Sequence, residues 1–213
     1  MNDLPLAEAQ LLALEAVLRA GAAEASHALS NWIGKPTEIT SDAVQQLSLH
    51  DSTSVLGEGD EPICFCIVEL AGVLGGCMIL AFDDASGLVL ADLLLDQPRG
   101  TASEWGDMET SAALETTNIV CCAYLNAISR AFPHREASDP EMVPSPPQFS
   151  RDYASSLVEF ALMGQAAASD HVLLAQTQFQ IDGEPVDWKL LLVPDAESMT
   201  TLRDVFSSET DLA

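Results

Sequence analysis

Apolar residues recur every three to four positions from residue 5 to residue 33, a segment rich in Ala and Leu. That spacing predicts one long helix, which Gly34, Lys35 and Pro36 end. Residues 37–48 alternate loosely and predict a strand, and the polar, Gly-containing run 51–61 predicts a loop. Residues 62–71 and 75–82 are rich in Val, Ile, Cys and Leu and read as two paired strands. Asp83 or Asp84 is placed to cap a short helix running through Leu95, followed by a linker over 96–103. A second long helix spans about 104–132 and is stopped by Pro133. Residues 133–150 carry Pro133, Pro140, Pro144, Pro146 and Pro147 and predict a loop. Helix is expected over 151–165. A second strand pair is expected at 170–181 and 186–193, joined through Asp182-Gly183. Asp195 caps a last short helix ending near Phe206, and the acidic terminal residues are expected to fray.

The order long helix, strand pair, short helix therefore occurs twice. Ala28-Leu29-Ser30 aligns with Ala127-Ile128-Ser129 at an offset of 99, with Ile33 on Phe132 and Gly34 on Pro133. Asp84-Ala85 aligns with Asp195-Ala196 at an offset of 111. The same offset sets Ile79-Leu80 on Leu190-Leu191 and Leu94-Leu95 on Val205-Phe206. An insertion in the Pro-rich loop accounts for the difference between the offsets. The expectation is a single domain over 1–213, built of half-repeats at about 5–100 and 104–208 around a pseudo-twofold axis. Each half alone would leave open strand edges, so the strands are expected to share one sheet. The fold class is α/β, with long helices packed on a mainly antiparallel sheet.

Composition narrows the partners. The 213 residues include 33 acidic and 8 basic side chains, for a formal charge of −25, yet 48% of the chain is hydrophobic. An acidic disordered chain is poor in apolar residues, so this one is expected to fold around a core. Nucleic acid and anionic lipid surfaces are excluded as partners, because binding there rests on Lys and Arg neutralising phosphates. Two readings of the charge stay open: steering of a partner with a basic face, and solubility alone. The longest apolar run, Ile63 to Phe82, is broken by Glu69, Gly72, Gly75 and Gly76, so no membrane insertion is expected. MNDLPLAEAQ lacks the basic residues and apolar run of a signal peptide, and the five cysteines are an odd count. Reduced thiols and a cytoplasmic location are expected.

Candidate chemistry lies on the second long helix. At about 100° per residue, Ser111, Glu115, Asn118 and Cys122 fall on one stripe. Ala113, Val120, Ala123, Tyr124, Ala127 and Ala131 fall on the opposite, core-facing side. Glu115 is an acceptor suited to a cation, and Asn118 offers both a donor and an acceptor. By spacing alone this pair also fits an ordinary solvated helix face. Cys64, Cys66, Cys77, Cys121 and Cys122 follow no standard zinc spacing and read as buried thiols. His27, His50, His134 and His171 form no triad, and Gly72, Gly75 and Gly76 mark a hairpin turn rather than a phosphate loop. Trp32, Trp105 and Trp188 read as core or interface anchors.

Ser111-x3-Glu115-x2-Asn118-Ile119, followed by Tyr124-Leu125-Asn126-Ala127, closely resembles the signature helix of the CheC/CheX/FliY chemotaxis phosphatases, CheC above all. The resemblance covers nearly the whole chain. Residues 26–36, SHALSNWIGKP, look like the end of the family's first signature helix. Phe82-Asp83-Asp84-Ala85-Ser86 and Pro194-Asp195-Ala196-Glu197-Ser198 look like its two strand-to-helix junctions, and Pro146-Pro147 resembles its Pro-rich approach to the second half. The resemblance implies a phosphatase acting on the aspartyl phosphate of a CheY-like response regulator. Asn118 would orient the attacking water, Glu115 would dock the regulator's Lys, and Ser111 would flank the contact. No cofactor or metal is then held by this chain, Mg²⁺ being the regulator's own, and a CheD-like deamidase is a further partner. The implied alternative is a non-catalytic module of the same fold that binds a regulator or CheD, as in flagellar switch proteins. The chain departs from the family pattern at several positions. At the offset of 99, Glu115 and Asn118 fall on Ala16 and Arg19, so one active centre is expected. Thr117 stands where the family often has Gly, and Pro140 is the nearest candidate for a downstream Pro.

Overall fold

A computed structural model describes residues 5–48, 51, 62–132, 141–154, 156, 171–181, 184–186 and 188–207. Helix α1 spans Glu8–Ile33 and ends on Gly34, whose left-handed φ of 73° closes the last turn. Strand β1 is Thr37–Ser48, β2 is Ile63–Ala71 and β3 is Gly76–Phe82. Helix α2 spans Asp84–Leu94, and Asp83 is its cap, its carboxylate accepting from Ser86 N at 2.6 Å. Helix α3 spans Asp107–Ala131. Strands β4 (Val143–Pro144), β5 (Gln148–Asp152), β6 (His171–Ile181), β7 (Glu184–Val186) and β8 (Trp188–Pro194) follow. Helix α4 spans Ala196–Ser207, and Asp195 Oδ1 accepts from Ser198 N at 2.8 Å.

The Pro-rich segment corrects the sequence reading. Residues 143–144 and 148–152 are not loop or helix but pair with β2. Proline is tolerated there because an edge strand needs no donor on its outer side. Of the helix expected over 151–165, residues 151 and 152 belong to β5 and residues 154 and 156 are helical. Residues 157–165, Pro140 and the Asp182-Gly183 turn lie outside the described residues.

The strands form one sheet in the order β1-β6-β8-β3-β2-β4, with β5 also on β2 and β7 also on β6. Every ladder among the described residues is antiparallel. The expected α/β architecture of long helices on an antiparallel sheet is what the chain adopts. Strands from early and late in the chain interleave, since β1 pairs with β6 and β5 with β2. At the centre, Ile79 pairs with Leu191 and Leu80 with Leu190. These are the residues that align at the offset of 111, with partners exchanged, which places a local twofold axis between the two pairs.

Both sheet faces are apolar. Cys64, Cys66, Met78, Leu80, Phe82, Trp188 and Leu190 share one core with Leu14, Leu18 and Leu29 of α1 and Val120, Tyr124 and Ile128 of α3. Phe65, Ile79, Val172, Leu174, Leu191 and Val193 form a second cluster. Burial on both faces explains why these strands read as continuous apolar runs rather than as alternation. Trp188 is fully buried and stacks on Phe82 at 4.0 Å between ring centroids. Trp105 packs between Phe82 and Phe149. Trp32, by contrast, is 44% exposed and is no core anchor. It sits at the end of α1, where the core-facing row has already passed through Leu29.

Candidate functional site

Three features fix the start of α3. The linker before it is held by the buried Asp92 carboxylate, which accepts from Gly100 N at 2.7 Å, Thr101 N at 3.1 Å and Ala102 N at 2.8 Å. Trp105 Nε1 donates to Asp84 Oδ1 at 2.9 Å. At the first turn, Glu109 Oε2 accepts from Gly106 N at 3.2 Å, and Asp107 and Glu109 put negative charge at the positive end of the helix.

The helix is then split lengthwise. Ala112, Ala113, Thr116, Thr117, Val120, Ala123, Tyr124 and Ala127 are buried. Ser111, Glu115 and Asn118 are exposed, Cys122 is half-buried, and Asn126 continues the stripe in the open. Met108, one turn ahead of Ser111, is 62% exposed. The sequence stripe is therefore a real surface ridge. Thr117 is fully buried, and its hydroxyl donates to Ala113 O at 2.8 Å, so this departure from the family pattern changes the helix underside and not the ridge.

Among the described residues, none hydrogen-bonds or ion-pairs with the side chains of Ser111 or Glu115. Asn118 has a single partner there: Cys122 Sγ donates to Asn118 Oδ1 at 3.8 Å. The two described grooves lie elsewhere. One is lined by Asp84, Leu88, Ser103, Glu104, Trp105 and Arg151, the other by Ser30, Pro36, Thr37, Glu38 and Gln180. A small-molecule site is concave, and neither of these two grooves is lined by Ser111, Glu115 or Asn118.

The corresponding stripe of α1 has different chemistry. Leu12 is 60% exposed, Ala16 is exposed, and Arg19 is tied to Glu15 of its own helix at 2.6 Å. The two helices cross at Gly21 and Tyr124, and Glu24 and Arg130 form an ion pair between them. Of these two helices, α3 alone presents a carboxylate and a carboxamide at this spacing.

Sequence reasoning missed one polar cluster. Asp84 accepts from Arg151 Nε at 2.9 Å, from an Arg151 terminal nitrogen at 2.6 Å, from Trp105, and from Cys64 Sγ at 3.1 Å. Arg151 foremost holds the Asp84 carboxyl down at about 2. Burial first, and then Asp84, pushes the Cys64 thiol far up. The Asp83-Asp84 pair was visible in the sequence, but Arg151 stood in an assumed helix, so nothing linked the two. Burial also pushes the Cys66 and Cys77 thiols up to about 12 and Cys121 higher still. The reading of Cys64, Cys66, Cys77 and Cys121 as buried thiols holds. Among the described residues, no three His, Cys, Asp or Glu side chains gather as a metal site would require. No described helix is long and apolar enough to cross a membrane.

No family model matches the sequence. The chain is 22% identical over 201 residues to the CheY-P phosphatase CheC of Bacillus subtilis strain 168, covering 92% of each chain. The crystal structure of Thermotoga maritima FliY superposes with a TM-score of 0.76 at 16% identity, over 97% of this chain and 100% of that one. The FliM middle domain of H. pylori superposes with a TM-score of 0.69 at 16% identity, over 94% and 99%. The fold that the resemblance implied is borne out: the chain shares the fold of FliY and the FliM middle domain.

Proposed function

We propose that this protein is a phosphatase for the aspartyl phosphate of a CheY-like response regulator, with the α3 ridge as its active centre. The observation that carries this reading is that Glu115 and Asn118 project side by side from the exposed face of α3 and line neither described groove. Such a pair completes an active site supplied by another protein. The similarity to CheC supports the same reading.

Each side chain has a role set by its chemistry. A carboxamide oxygen accepts a hydrogen bond from water while leaving a water lone pair free for attack. Asn118 thereby holds a water in line with the phosphorus; the water oxygen bonds to phosphorus as the bond from phosphorus to the aspartyl oxygen breaks, the water's proton passes to the phosphate, and inorganic phosphate and a free carboxylate result. Asn118 is neither nucleophile nor base, so catalysis is positioning of the water. The Glu115 carboxylate, exposed and without a described partner, is free to pair with the regulator's Lys and fix the pose. Ser111 flanks that contact one turn away. Mg²⁺ belongs to the regulator and supplies charge neutralisation at the phosphoryl oxygens.

The test is multiple-turnover phosphate release from a phosphorylated, Mg²⁺-loaded CheY-like protein. Catalytic amounts of this protein should accelerate release. Asn118→Ala should lower kcat by about 10²-fold, the scale of losing one positioned group. Glu115→Ala should mainly raise KM. Both residues are exposed, so stability should change by less than about 0.5 kcal/mol. Equal rates for Asn118→Ala and wild type would sink the assignment.

A second reading, a non-catalytic module that binds a regulator or a CheD-like protein, draws on the fold similarity to FliY and FliM and on the α1 stripe that lacks the pair. Binding of the phosphorylated regulator with no acceleration would select it.

A further inference from the structure

The phosphatase reading leaves open how an exposed carboxamide is held in one orientation before the partner arrives. An Asn side chain on an open helix face samples several rotamers, and ordering it on binding costs entropy that a preorganised group avoids. On this ridge the next residue at helical spacing is Cys122, whose Sγ lies 3.8 Å from Asn118 Oδ1, within reach of a thiol donor because sulfur is large. We propose that Cys122 is a positioning residue for Asn118: its thiol donates to the carboxamide oxygen from one turn along α3 and fixes the side chain in the orientation that receives the regulator. The inference rests on the phosphatase reading for its kinetic consequence, but not for its geometric one.

Two further features fit it. Cys122 is half-buried while its neighbour Cys121 is fully in the core, so among the five cysteines only Cys122 lies on the ridge. Burial, and then the Glu115 carboxylate, push the Cys122 thiol up, so near neutral pH it keeps the proton it must donate. The oxygen's second lone pair stays open for the water.

The ordinary alternative is a small half-buried apolar side chain that only fills space. Cys122→Ser and Cys122→Ala separate the two, because serine keeps a donor and alanine does not. Cys122→Ala should lower kcat about threefold to tenfold with KM unchanged, the worth of one weak hydrogen bond. Cys122→Ser should restore kcat to within about twofold of wild type. In the free protein, the side-chain amide of Asn118, followed by ¹⁵N relaxation, should become more mobile in Cys122→Ala and stay ordered in Cys122→Ser. Wild-type kcat in Cys122→Ala, equal losses in both variants, or unchanged amide order would overturn the proposal. Asn118→Ala run alongside distinguishes the failures. If it loses activity while Cys122→Ala does not, only the positioning role falls. If it keeps full activity, the phosphatase assignment of Asn118 falls, and the relaxation measurement still decides whether the thiol orders the amide.

Discussion

A β-carbon added to Gly21 of α1 would lie 3.0 Å from both Cα and Cδ1 of Tyr124 on α3. The long helices therefore touch backbone to backbone, and Tyr124, two residues before Asn126 on the exposed side, is fully buried beneath that crossing. Gly21→Ala gains about 1 kcal/mol of helix propensity. It also overpacks against a main-chain atom that cannot swing away, at a cost of about 1–3 kcal/mol. A net loss of about 1 kcal/mol is expected in chemical denaturation. A stabilised Gly21→Ala would show that the helices move apart freely.

Thiol labelling should follow burial. Cys64, Cys66, Cys77 and Cys121 are buried and their thiols are pushed up by that burial, whereas Cys122 is half-buried. Iodoacetamide near pH 8 should modify Cys122 first, and the other four only after unfolding. Mass spectrometry of the native protein reads this directly, and early modification of Cys66 or Cys121 would contradict the packing.

Arg151 holds the Asp84 carboxyl at about 2, below its ordinary 3.8. A carboxyl lowered by folding stabilises the fold above its unfolded value, and that contribution is lost as pH falls through the range from 3.8 toward 2. The pair is more than a third exposed, so solvent screening keeps its contribution small. Arg151→Ala should lower thermal stability most on the neutral plateau, and its difference from wild type should shrink as pH falls from 3.8 toward 2. A difference from wild type that stays the same between about pH 7 and pH 2 would refute the pairing.

Arg19→Ala should leave regulator dephosphorylation within about twofold of wild type, the range of a neutral surface change. Arg19 is exposed and paired to Glu15 on its own helix, and Ala16 beside it offers no acceptor. A large loss of activity would assign the α1 stripe a role in binding the regulator.

The polar ridge of α3 was legible because a helix repeats every 3.6 residues. Spacing alone put Ser111, Glu115 and Asn118 on one side and Val120, Tyr124 and Ala127 on the other. The capping of α2 and α4 by Asp83 and Asp195 was legible for the same local reason, since a cap needs only its own first turn. Strand β5 was not, because Gln148 to Asp152 is short, partly polar and preceded by prolines, and becomes a strand only by pairing with β2.

Local pattern was enough for the two long helices, the apolar strands and the polar stripe of Ser111, Glu115 and Asn118. Those follow from periodicity and side-chain chemistry, which act over a few residues. Long-range packing alone interleaved strands from early and late in the chain in one sheet, set Asp84 against Arg151, and left Glu115 and Asn118 outside both described grooves. Those are contacts between residues far apart in the chain, and their partners are chosen by how the whole sheet closes over its core.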